Sequence, residues 1–161
     1  MATQATPARK KRKVSRPRIE RVQHVIEIQD WRWDYMFGID DTSFREGPYF
    51  DFRHLDIEGK LLRPTSINAT TVKVTCFPDY RLLESERRST QQPKAVGMIS
   101  HRGKDCSANL HIPADALGPM LQMMIAGKYR YVFMEAEKSY RGEALVRHFR
   151  FAGTISDEAL T

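Results

Sequence analysis

The chain has 161 residues, 41% of them apolar, and a formal net charge of +6. That length supports one domain with an ordinary core. Cys76 and Cys106 match neither a disulfide framework nor a zinc spacing, and no apolar run approaches the ~18 residues of a membrane span.

The charge is not spread evenly. Residues 1–21 hold Arg9, Lys10, Lys11, Arg12, Lys13, Arg16, Arg18 and Arg21 against Glu20 alone, while the other 140 residues carry 18 basic and 19 acidic groups. The basic character therefore belongs to an arm on a nearly neutral domain, which points to an acidic partner such as nucleic acid. Residues 1–21 read as a disordered arm, because a polar, proline-containing stretch cannot bury enough surface to offset its ordering entropy. Arg9-Lys10-Lys11-Arg12-Lys13-Val14, preceded by Pro7, resembles the monopartite nuclear localisation signal. That resemblance implies capture by an import receptor in a eukaryote. In a bacterium the same run would contact phosphates of nucleoid DNA or ribosomal RNA. After the arm, Val22–Trp33 is broken by Gln23, His24, Glu27, Gln29 and Asp30, so no signal-peptide core follows and a cytoplasmic or nuclear protein is expected.

One mostly-β domain is predicted over residues 22–155, with a frayed end at 156–161. Val22, Ile26 and Ile28 share one parity and Trp31 and Trp33 the other, which predicts a strand with a bulge before Trp31. Asp34–Pro48 reads as a long connection. Tyr49–Ile57 is the next strand, with Glu58-Gly59 as a hairpin turn into Lys60–Arg63. In Asn68–Phe77, Val72, Val74 and Cys76 should face inward. Pro78–Pro93 reads as a polar surface loop. Two hairpins follow, Lys94–Ser100 with Asp105–Ile112 around Arg102-Gly103, and Lys128–Ala136 with Glu143–Ile155 around Tyr140-Arg141-Gly142.

Between the hairpins lies the single amphipathic helix, at 114–126. Leu117, Met120, Leu121, Met124 and Ile125 form one apolar stripe, and Gly127 stops it. Pro119 predicts a kinked or two-piece element, because an interior proline costs roughly 3 kcal/mol. About seven strands with this inserted helix suggest an antiparallel β-sandwich or a curled barrel.

Candidate chemistry is sparse. The triplets Trp31-Arg32-Trp33, Tyr129-Arg130-Tyr131 and Phe149-Arg150-Phe151 alternate, so their aromatics should join Phe133 and Leu145 in the core. Arg32, Arg130 and Arg150 would then give the sheet an outer basic face. Asp40, Asp41, Glu46, Asp51, His54 and Asp56 are the residues a metal-dependent hydrolase would use, but their spacing matches no ligand motif. Asp41-Thr42-Ser43-Phe44-Arg45-Glu46-Gly47 resembles the cyclic-dinucleotide-binding PilZ pattern with one extra residue before the glycine. The flanking strands do not reproduce that family, and no function is carried over. His101, Cys106 and His111 recur at intervals of five, yet Cys106 and His111 fall on opposite strand faces, so neither a metal site nor an activated thiol is expected.

The sequence thus predicts a non-enzymatic binding or adaptor module without metal or cofactor. Its basic arm contacts nucleic acid or an acidic surface, and its β domain docks on a protein partner. The alternatives are a β domain binding a small ligand or signalling nucleotide near Trp31, Trp33 and Tyr35, or the hydrolase.

Overall fold

The computed structural model describes residues 19–39, 49–82 and 95–155. Seven strands build it: β1 (Arg21–Ile39), β2 (Tyr49–Arg63), β3 (Thr71–Asp79), β4 (Gly97–Arg102), β5 (Asp105–Pro113), β6 (Tyr131–Glu137) and β7 (Glu143–Ala152). They are ordered β1-β2-β3-β5-β4-β7-β6, and β6 pairs back onto β1 to close a barrel. The mostly-β class is as expected. Pairing is not wholly antiparallel, because β3 and β5 run parallel. β4 lies on the far side of β5, so the chain makes a crossover between β3 and β5, which a parallel pair requires.

Alternation fixes the interior. Ile26, Ile57, Val74, Ile99, Leu110, Ile112, Val132 and Met134 are fully or almost fully buried and meet in one cluster. Val72, Val74 and Cys76 point inward as predicted. The bulge before Trp31 is present as a register shift between Ile28 and Asp30, which brings Trp31 and Trp33 onto the core side.

Two boundaries depart from expectation. β1 does not stop at Trp33 but runs to Ile39, and β2 resumes opposite it at Tyr49. Apolar residues on both faces hide the alternation there, which is why the stretch reads as a connection. Glu58-Gly59 is not a turn either, since β2 passes straight through it. A Cβ at Gly59 would lie 2.5 Å from both the Glu27 carbonyl oxygen and Ile26 Cγ2. The glycine serves close approach of β1 to β2 beside the bulge.

The helical element is two-piece, as Pro119 requires. A 3-10 turn at Ala114–Ala116 leads into α1, Leu117–Ile125. Pro119 occupies the third helical position, where its missing N–H has no intrahelical acceptor to lose. Leu117 and Met124 are buried in the barrel cluster with Met120 and Leu121 against it, whereas Ile125 is 74% exposed, outside its predicted stripe. The C-terminus is a Schellman motif: Gly127 N–H donates to the Met124 carbonyl at 2.9 Å and Lys128 N–H to Met123 at 2.9 Å, with Gly127 at φ +62°. Gly127→Ala should cost about 1 kcal/mol, because alanine pays the left-handed penalty that glycine avoids. Urea denaturation would measure it, and an unchanged midpoint would contradict the assignment.

Candidate functional site

The basic residues Arg9, Lys10, Lys11, Arg12, Lys13, Arg16 and Arg18 lie outside the described residues, as do Asp40, Asp41 and Glu46. Arg21 is the first residue of β1, and its guanidinium pairs with Glu135 on the neighbouring β6. The chain therefore enters the barrel beside a surface groove of about 420 Å³, lined by Arg21, Gln23, Phe133, Glu135, His148 and Arg150. The Arg150 guanidinium carbon lies over Phe133, 4.3 Å from the ring centroid, and Phe133 beneath it is only 3% exposed. A cation held this way keeps its outer face available to a ligand.

Of the three arginines expected on one outer face, only Arg150 joins Arg21. Arg130 precedes β6, where its carbonyl accepts the Ile28 N–H at 2.8 Å. Arg32 lies beyond the β1 bulge in a separate ion-pair network. The aromatic triplets also divide. Trp31, Trp33, Phe149 and Phe151 pack on the core as predicted, and Tyr129 joins them 5.5 Å from Phe151. Phe133 is buried as predicted, but with Val25 in a second core cluster against which Tyr131 packs, on the side of β6 opposite Val132 and Met134. Leu145 is exposed rather than core: a register shift at Glu135/Ala136 changes the phase of β7 between Val146 and Phe149.

The second constellation is assembled by strand register. Asp34 on β1 faces His54 on β2, Arg32 faces Asp56, and Asp56 faces Thr75 on β3. Asp56 is 4% exposed and accepts from Thr75 Oγ1 at 2.7 Å, Lys73 Nζ at 3.1 Å and the Arg32 guanidinium at 3.1 Å. His54 Nε2 lies 3.3 Å from Asp34 and 3.6 Å from Asp56. Burial alone would raise the Asp56 pKa, but the donors of Thr75, Lys73 and Arg32 outweigh it and hold the carboxyl below its ordinary range. One ligand atom from each of Asp34, His54 and Asp56 falls within 4.8 Å of the others, a donor set of metal-binding type. Two cations and a hydroxyl already occupy Asp56, however, so the arrangement acts as an ion-pair network. Asp51, on the opposite face of β2, pairs with Arg53 instead of converging with His54. Asp34, Lys73 and Thr75 were missed from sequence because only cross-strand register brings them to Asp56.

The third is inside the barrel, at the end away from α1. His24 on β1, 2% exposed, stacks on His101 of β4 with ring centroids 5.5 Å apart and planes 13° from parallel. None of the four ring nitrogens has a hydrogen-bond partner among the described residues. Burial pushes the His24 pKa down to about 4, and the neighbouring His101 adds to the shift. The Val22 backbone lies close enough to offset part of it, without a hydrogen bond of normal geometry. Burial lowers His101 as well. Cys106 sits opposite His101 across the β4–β5 pair. Burial pushes its thiol up to about 11, and burial with the Asp56 charge pushes Cys76 up to about 12. Both cysteines are thus protonated, inert thiols. His111 faces the other way, against Phe77 and 3.8 Å from Asp79, as the strand parity predicted.

The fourth feature is the end of the β1–β2 hairpin. Past Trp33 and Leu55 the two strands leave the barrel as a ribbon, paired with each other to Ile39 and Tyr49. Tyr35, Phe37, Ile39 and Tyr49 continue the core face outward, and each is at least 59% exposed. Met36 and Phe52 lie exposed on the opposite face. Arg53 sits between the Tyr35 and Tyr80 rings, at 5.9 and 5.6 Å. No helix among the described residues is long and apolar enough to cross a membrane. In comparisons with known proteins, no family model, no curated protein and no solved structure matches the chain.

Proposed function

We propose that this protein is a non-catalytic binding module. Its basic N-terminal segment holds nucleic acid by charge, and its β domain docks on a protein through the exposed β1–β2 ribbon. The observation that carries the reading is basic charge close together: the run from Arg9 to Arg18 lies next in sequence to Arg21, which shares a groove with the Phe133-backed Arg150 and pairs there with Glu135. Lys and Arg side chains that neutralise phosphates release counterions, which makes such binding strong at low salt and weak at high salt. Arg150 adds a planar surface on which an unpaired base can stack. The protein-docking half rests on the ribbon, because a folded chain seldom leaves so large an apolar patch in water.

The test is fluorescence anisotropy of labelled single-stranded RNA and duplex DNA across a salt series. Affinity for duplex DNA should fall with a log–log slope of about −0.9 per phosphate contact, and removing residues 1–18 should weaken binding by about tenfold or more. That deletion stops short of β1, so the barrel is kept. If the shortened chain binds as tightly as the full one, the arm has no such role. If the full chain binds no nucleic acid at low salt but does bind an acidic polypeptide, the nucleic-acid reading is wrong.

A further inference from the structure

Beyond the barrel, the ribbon has two properties that belong together. Its core-side face carries Tyr35, Phe37, Ile39 and Tyr49, each at least 59% exposed, with Phe37 stacked on Tyr49 at 5.7 Å; the Asp51–Arg53 pair lies on the same face, with Tyr80 against it. Among the described residues its edges are also open: β6 pairs with β1 only as far as Glu27, and β3 pairs with β2 only from Leu55 onward. Unpaired backbone donors and acceptors beside exposed apolar side chains form a template for adding another strand. The remaining segments of this chain are poorly suited to cover that face, since residues 1–18, 40–48, 83–94 and 156–161 are dominated by charged, polar and small side chains.

We infer that a second copy of this chain docks there, its β1 running antiparallel to the first along the open edge about a twofold axis. This rests on the ribbon being a docking surface and names what docks. The argument for self-association is complementarity. With the axis at Trp33, Arg32 of each copy lies opposite Asp34 of the other, and Trp31 lies opposite Tyr35. With the axis one residue on, two Asp34 carboxylates would meet instead. Directly opposed unlike charges and aromatic pairs stabilise neighbouring strands, and opposed like charges destabilise them. A twofold contact uses one surface twice, so a self-complementary edge closes at a dimer. The resulting sheet, β2-β1 continued by β1-β2 of the second copy, joins the two apolar faces side by side. It also presents two basic arms to one nucleic acid.

Analytical ultracentrifugation of the full chain at about 1 to 100 μM tests this, since standard interfaces of this kind give dissociation constants in or below that range. The intact chain should sediment at twice the chain mass. Phe37→Arg, at an exposed position and so without a folding cost, should sediment as a monomer with an unchanged circular dichroism spectrum. In the dimer, amide exchange across 29–37 should be slowed relative to the Phe37→Arg monomer. A wild type that remains monomeric throughout overturns the second copy as occupant, while leaving the ribbon free to dock a different protein. A dimer that survives Phe37→Arg, with 29–37 exchanging as fast in wild type as in the variant, places self-association elsewhere and also overturns it.

Discussion

Acidification from about pH 7 to pH 5 should remove about 2 kcal/mol of folding stability through His24 alone. The folded-state pKa of this imidazole is depressed from 6.5 to about 4. Above 6.5 the ring is neutral in both states and contributes no pH dependence. Between 6.5 and 4 the unfolded chain binds a proton that the folded barrel refuses, so stability falls as pH falls. Below 4 both states are protonated and the loss is complete, at about 3 kcal/mol. His101, also depressed, acts in the same direction. Urea unfolding at a series of pH values would measure the slope. His24→Leu, which keeps the interior apolar, should remove the His24 part of the slope and leave only the contribution of His101. A wild-type stability that stays level between pH 7 and 5 would mean that the imidazoles find partners in solution.

Asp56→Ala should destabilise the barrel by about 2–3 kcal/mol, the range for charge-assisted hydrogen bonds removed on one side only. The carboxylate itself is sealed, but Arg32 and Lys73 are 68% and 49% exposed at their side chains, so water recovers part of their solvation. Most of the loss therefore falls on the Thr75 hydroxyl and on the β1-β2-β3 stitching that the carboxylate provides. Asp56→Asn should cost less, because the amide oxygen still accepts from Thr75. A stability within about 0.5 kcal/mol of wild type, the usual range for a surface substitution, would show that the network contributes nothing. The Asp56 effect has the same pH sense as His24 in a lower window. Its carboxyl is held below the ordinary value of 3.8, so the stability it supplies is present above that pH and is lost on further acidification.

Much of this molecule can be read directly from its residue order. The period-two alternation of Val72, Val74 and Cys76 set an inward face that no later contact altered. The parity change before Trp31 located the bulge, and Pro119 divided the helical element, because both are consequences of local backbone geometry. Charge segregation onto the first 21 residues is likewise a property of the sequence alone. Tertiary structure decided what depends on strands distant in sequence. Gly59 reads as a turn until β1 is laid 2.5 Å from where its Cβ would be. Leu145 reads as core until the register shift in β6–β7 reverses its face. His24, unremarkable in a strand, becomes strongly perturbed because barrel closure buries it, and buries it against His101, 77 residues further along the chain. The ribbon follows the same logic. Its first strand reads as part of a connection, and only the β1–β2 register and the ends of the β6 and β3 pairings show that a paired ribbon runs on where the barrel stops. Periodicity determines which way a side chain points; pairing register and closure determine what it meets there.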